Sequence, residues 1–214
     1  FHNSSVINKR FITFEGGEGS GKTTQIKILK KKLLKYGDVV TTREPGGSPN
    51  AEIIRDLLVK GEKNRWSEIS ELLLINAARK DHLENIILDA LENEKFVLCD
   101  RFTDSTVVYQ GYGKGLDIKL INKLDLIVTK KLKPRITFLL NIKPDIGLKR
   151  SRGRKNIELR YENMPMKYHK KINTSFLKIA KKDSKRFVVI DASKDKEEIG
   201  HIIWKNIKNK LLSD

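Results

Sequence analysis

The run Gly16-Gly17-Glu18-Gly19-Ser20-Gly21-Lys22-Thr23 has the spacing G-x-x-x-x-G-K-[ST]. That spacing suits a loop that wraps phosphate: glycines let backbone N–H groups turn inward, and a lysine adds positive charge. Backbone donors and the start of the following helix would hold the phosphates of a nucleoside triphosphate. Lys22 would neutralise the β- and γ-phosphates, and Thr23 would ligate Mg²⁺. Glu18 sits oddly here, an anion inside a loop built for anions. A second group lies downstream, where Asp100 closes "KFVLCD" and Arg101 follows it. Side by side they would meet a metal ion and a phosphate respectively.

These residues need elements to hold them. "RFITFE" (10–15) reads as a buried strand feeding the glycine loop, and "TTQIKILKKKLLKY" (23–36) as the helix that leaves it. "DVVTTRE" (38–44), "KFVLCD" (95–100), "PRITFLLNI" (134–142) and "KRFVVIDA" (185–192) read as further strands. Helical patterns fall between them. The longest covers 66–92, and the last, near the C-terminus, places Ile199, Ile202, Ile203 and Ile207 on one face. The alternation predicts an α/β fold, a parallel five-stranded sheet flanked by helices. Ligands of such sheets sit at the carboxyl ends of the strands. Glu15, Arg43, Glu44, Asp100 and Arg101 all fall at or just beyond those ends.

The chain has 214 residues, 38% hydrophobic and 33% charged, enough for one core in a single domain over 10–214. Residues 1–9 read as a disordered lead-in without the apolar stretch of a secretory signal. No apolar run is long enough to span a membrane. The lone Cys99 excludes an internal disulfide framework and fits a reducing, cytoplasmic setting. Net charge is +17. It invites a nucleic-acid-binding ATPase, but the lysines are scattered. No basic tail or arginine–aromatic interleaving marks a nucleic-acid module, so nucleic acid is not expected as a partner.

"NKLD" (122–125) spells the N-K-x-D by which small GTPases read guanine. It lies within a helical stripe of Leu116, Leu120, Ile121, Leu124 and Ile127, whereas a guanine-reading motif needs a loop after a strand. The chain also has no D-x-x-G.

"TREPGG" (42–47), the helix segment "INAAR" ending at Arg79, and "DRFTDSTVVYQGYGKG" (100–115) follow the phosphate loop in order. An arginine-rich segment at about 149–164 completes the series. In this combination the sequence resembles the thymidylate kinases over nearly its whole length from about Lys9. The resemblance implies a P-loop kinase fold with a lid, Mg²⁺, and transfer of the γ-phosphoryl group of ATP to dTMP on the way to dTTP. It also implies a homodimer, with the 66–92 helix able to supply the interface. A kinase for another nucleoside monophosphate stays open as an alternative.

The chemistry fits that resemblance. An acceptor that is already a phosphate monoester needs no general base. Catalysis then rests on aligning two polyanions and neutralising the charge between them. Such a site needs arginine and lysine rather than histidine. Only His82 falls in a motif position, and it reads as a solvated helix residue.

By resemblance, Arg101 grips the acceptor phosphate, Arg79 meets the thymine O4, and Glu18 turns from the donor phosphates to the 3′-hydroxyl of the acceptor sugar. Ser105 and Thr106 lie near the base, Tyr109 packs near C2′, and Gln110 lies by the base. Glu44 and Pro45 shape the pocket. Arg43 serves either the phosphates or an ion pair that holds its loop. Gly19 stands where some members carry a P-loop arginine, so an arginine of the lid, Arg154 or Arg160, would reach over the transferred group. Arg150 and Arg152 add to the density of the lid. Ile75 replaces a thymine-stacking aromatic, which implies aliphatic packing and looser selectivity. Adenine is expected between the lid and "DASKDKEE" (191–198).

Overall fold

The computed structural model describes residues 9–60, 65–151 and 164–212. The five apolar runs pair as a wholly parallel sheet of β1 (Phe11–Glu15), β2 (Val39–Arg43), β3 (Phe96–Asp100), β4 (Ile136–Asn141) and β5 (Phe187–Asp191). Their order is β2-β3-β1-β4-β5. β1 is central and buried along its whole length. A strand covered on both faces is apolar almost throughout, which is why these runs are continuous rather than alternating.

Side chains alternate across the sheet. Ile12, Phe14, Leu98, Phe138, Leu140 and Ile190 face one side. There they meet Ile26, Leu29 and Leu33 of α1 (Lys22–Leu33) and the C-terminal isoleucines, Ile199, Ile203 and Ile207. Phe11, Val97 and Cys99 face the other side, against Leu83, Ile87, Leu91 and Phe102. Each fully buried Phe or Ile contributes about 1.5–3 kcal/mol relative to exposure. Glu15 shares the face of Phe11, so a carboxylate ends the apolar strand on the side where the site forms.

The helices on the site side are α2 (Pro49–Val59) and α3 (Glu68–His82), the latter continued through a π-helical turn at Leu83–Ile87 into α4 (Leu88–Glu92). Ser67 caps α3 by accepting from the Ser70 N–H at 3.2 Å. α3 buries Glu71, Asn76, Arg79 and His82 beside Leu72 and Ala78. This polar buried face lies over the site. After β3 come α5 (Thr103–Thr106), a second π-helical stretch at Val107–Gly113, and α6 (Ile118–Thr129). The "NKLD" tetrapeptide is inside α6, as its apolar stripe predicts. α7 (Pro144–Ser151), α8 (Met166–Lys182) and α9 (Lys196–Ile207) complete the layers. Among the described residues, no helix is long and apolar enough to cross a membrane.

One close backbone approach fixes the phosphate loop. Gly19 has φ +66°, and a Cβ there would lie 1.9 Å from the Gly147 carbonyl oxygen. A Cβ on Gly147 would lie 2.4 Å from the Glu18 carbonyl oxygen. The loop and the first turn of α7 therefore touch backbone to backbone, with no room for a methyl group. Gly147→Ala is expected to cost about 1–3 kcal/mol in a urea unfolding curve, because two backbones must part. Gly17→Ala, whose methyl would meet nothing within 4 Å, is the matched control and should unfold near wild type.

Candidate active site

The loop between β1 and α1 holds Lys22 at the head of the helix. Its Nζ donates to the carbonyls of Gly16 at 3.3 Å and Gly17 at 3.4 Å, and lies 3.8 Å from Asp100 Oδ1. Gly21 caps α1 in the left-handed region and places no side chain on the first N–H groups. Those donors and the helix dipole make an anion site. Burial and the neighbouring Arg101 push the Lys22 pKa down, opposed by Asp100, Glu18 and Glu15. Thr23 Oγ1 donates to Asp100 Oδ2 at 3.2 Å. A hydroxyl and a carboxylate side by side are the hard oxygen donors Mg²⁺ takes, usually with phosphate and water completing its shell. Among the described residues no three His, Cys, Asp or Glu side chains cluster as a metal cage.

Beside this loop opens a cleft of about 560 Å³, within the size range of small-molecule sites. Glu18, Glu44, Pro45, Ile75, Arg79, Arg101, Ser105, Thr106, Tyr109 and Gln110 all line it, from five separate stretches of chain. Leu58, Val59 and Phe102 line it too; these apolar positions carry no motif that could single them out in sequence.

The odd carboxylate faces this cleft. Glu18 Oε1 accepts from Arg101 Nη2 at 3.1 Å and from the Tyr109 hydroxyl at 3.0 Å. Burial raises its pKa, but Arg101 and Lys22 outweigh that and hold it below the ordinary range. Arg101 itself stands at φ +70°, directly after β3, and its guanidinium lies 5.0 Å from the Tyr109 ring centroid.

A family model described as Thymidylate kinase matches residues 14–203. A thymidylate kinase of Geobacter sp. (strain M21) is 40% identical over 209 residues, covering 95% of this chain and 93% of that protein. One from Geotalea uraniireducens is 45% identical over 194 residues, covering 88% and 91%. The crystal structure of thymidylate kinase from Ehrlichia chaffeensis superposes with TM-score 0.76 at 36% identity, covering 92% of this chain and 97% of that one. The chain belongs to the thymidylate kinase family. Its sheet and flanking helices are those of a P-loop NTPase.

Within that thymidylate kinase frame, several expected positions need revision. Arg43 lies outside the cleft. It is exposed and donates to Glu52 Oε2 at 2.9 Å, while Glu52 Oε1 accepts from the Gly47 N–H at 2.8 Å. Of its two readings, the structure has the loop-holding ion pair. His82 is not solvated but fully buried. It lies three residues after Arg79 on the same face of α3, so it turns inward with it. His82 Nδ1 lies 3.2 Å from Glu44 Oε1, and Nε2 lies 2.6 Å from Thr42 Oγ1. Arg79 donates from Nε to Glu44 Oε2 at 2.7 Å and from Nη2 to Thr106 Oγ1 at 2.8 Å. Burial would raise the Glu44 pKa; Arg79 and His82 hold it low instead. A buried chain Thr42–His82–Glu44–Arg79–Thr106 thus fixes the arginine that faces the cleft.

Arg154 and Arg160 lie outside the described residues, as do Arg152, most of the segment expected to form the lid, and residues 1–8 of the expected lead-in. Arg150 is described, and its Nη1 donates to the Ala192 carbonyl at 2.8 Å. It ties α7 to the 191–198 segment.

Glu15 is the buried end of β1. It accepts from the Phe102 N–H at 2.9 Å and from Ser105 Oγ at 2.6 Å, and so holds the turn that presents Arg101. Burial and the nearby Asp104 push its pKa up from 4.5 to about 7, against the pull of Arg101. The folded state therefore holds this proton more tightly than the unfolded chain does. The resulting stabilisation is complete below about pH 4.5 and fades as pH rises through 7, by up to about 3 kcal/mol. Unfolding curves at pH 5 and pH 8 should show that loss in the wild type, and Glu15→Gln should flatten it. His82→Leu removes one partner from a buried carboxylate. It should lower the unfolding free energy by about 1.5–3 kcal/mol at pH 7, measured in urea.

Proposed function

We infer that this chain transfers the γ-phosphoryl group of ATP to dTMP, giving dTDP and ADP, as a single nucleoside monophosphate kinase domain over 10–214. The observation that carries the reading is Glu18. One carboxylate of the phosphate loop leaves the donor side and is clamped by Arg101 and Tyr109 at the mouth of a second, nucleotide-sized cleft. A loop serving hydrolysis alone has no use for such a cleft.

The acceptor phosphate is the nucleophile and needs no proton removed. Arg101 binds it and turns it toward the P-loop, where Lys22 meets the charge that builds on the transferred group. Alignment and neutralisation together supply the catalysis. Thr23 and Asp100 would hold Mg²⁺, whose charge is shared by the donor phosphates. Glu18 takes the 3′-hydroxyl of the acceptor sugar, and Tyr109 fills the space where a ribose would carry its 2′-hydroxyl. Arg79, Thr106 and Gln110 face the base, and Ile75 packs on it. Arg154 or Arg160 closes over the transferred group from the lid at about 149–164. Adenine sits between the lid and the 191–198 segment.

Exposed Ile53 on α2, Ile69 and Leu73 on α3, and Leu126 and Ile127 on α6 lie on helices that pack side by side. Such a shared apolar surface supports a homodimer through this side of the molecule. A reduced, buried Cys99 supports a cytoplasmic setting.

The deciding experiment is a coupled ADP-release assay with dTMP, dUMP, UMP, dCMP, AMP and GMP. The highest kcat/KM is expected for dTMP, and Lys22→Ala should lose 100-fold or more in kcat while remaining folded, since one such charge contact is worth about 3 kcal/mol. A preference for a purine or ribonucleotide acceptor would overturn the assignment.

A further inference from the structure

Glu71 is fully buried and has no part in the scheme above. It stands on α3, where its Oε1 accepts from Gln110 Nε2 at 2.9 Å and from Lys114 Nζ at 2.6 Å. Lys114 supplies the opposite charge that a buried carboxylate requires. A carboxylate paired in this way only accepts hydrogen bonds. The Gln110 carboxamide must therefore turn its nitrogen to Glu71 and its oxygen to the other side. Gln110 forms part of the cleft wall, together with Arg79 and Thr106, and Glu71 stands behind it. Arg79 can only donate, and its Nε and Nη2 are taken by Glu44 and Thr106. The wall thus pairs a donor, the Arg79 guanidinium, with an acceptor, the Gln110 oxygen. A pyrimidine with a carbonyl at C4 and a proton on N3 complements that pair. Cytosine, with an amino group at C4 and a bare N3, opposes donor to donor and acceptor to acceptor.

We propose that Glu71, which touches no substrate, is a positioning residue: it sets the Gln110 carboxamide so that the cleft accepts keto pyrimidines and rejects cytosine. The inference rests on the kinase function proposed above. Wild-type turnover of dTMP tests that function by itself, and the variants test Glu71.

The experiment measures kcat and KM for dTMP and dCMP in the wild type, Glu71→Gln, Gln110→Leu and the double variant. A glutamine at 71 can donate as well as accept, so the Gln110 amide loses its fixed orientation. Glu71→Gln should lower the dTMP-to-dCMP ratio of kcat/KM roughly tenfold or more, mainly through the KM for dTMP. The double variant should be no less selective than Gln110→Leu alone, because both changes remove one device. Glu71→Asp keeps the buried anion with Lys114 but draws it back from Gln110. It should lose the ratio too, and it serves if Glu71→Gln does not fold. A purely structural Glu71 would lower the melting temperature and leave the ratio alone. A ratio within twofold of wild type in a cooperatively unfolding Glu71 variant overturns the proposal, as do additive losses in the double variant.

Discussion

A carboxylate in a phosphate-binding loop is tolerable only if something takes its charge away from the phosphates. Here Arg101 and Tyr109 do so, both reaching Glu18 Oε1 from the segment after β3. The rest of the site depends on this contact. It ties the loop after β1 to the turn after β3 and so sets the donor and acceptor clefts against each other. Arg101 can make it because it stands in the left-handed backbone region right at the end of β3, where Glu15 fastens the turn through the Phe102 N–H. Register helps as well: Phe14 is paired with Asp100, so the two strands end almost level.

Around that joint, charge is handled in pairs rather than singly. Glu44 lies between Arg79 and His82, and Glu71 between Gln110 and Lys114. Each carboxylate is buried, and each would be costly without its partners. The pairs hold the residues that face the cleft, so the price of burial is met by orientation. A guanidinium or amide with some of its atoms already committed can offer only the remaining ones to a ligand. That restricts what the cleft accepts more than shape alone would.

The phosphate loop was legible because its chemistry is local. Glycine spacing, a lysine and a threonine next to a helix start are all neighbours in sequence, and backbone geometry alone makes them a site. The strands were legible for a similar reason: a parallel strand covered on both faces must be an apolar run. Ten of the residues expected around the acceptor do line one cleft, because strand ends in a parallel sheet converge. The polar face of α3 was harder to read. Its buried positions are Glu71, Asn76, Arg79 and His82, which look like a solvent face to any reading based on hydrophobic period.

The sequence by itself determined the sheet, the phosphate loop and the set of residues gathered at the strand ends, since each follows from local spacing or from the apolar runs. Only the tertiary structure decided which way the ambiguous charged groups turn. Arg43 and Arg79 are both arginines near strand or helix ends. One spends itself on a surface pair with Glu52, and the other is buried against Glu44. His82 reads as a surface residue until α3 is laid beside the end of β2, where Glu44 and Thr42 wait for it. Glu71 gives no sign in sequence that Gln110 and Lys114 will reach it. The physical reason is the same in each case. A charge in water can point anywhere at little cost, whereas a charge in the interior must find its partner, and that partner lies in another element, brought near only by the fold.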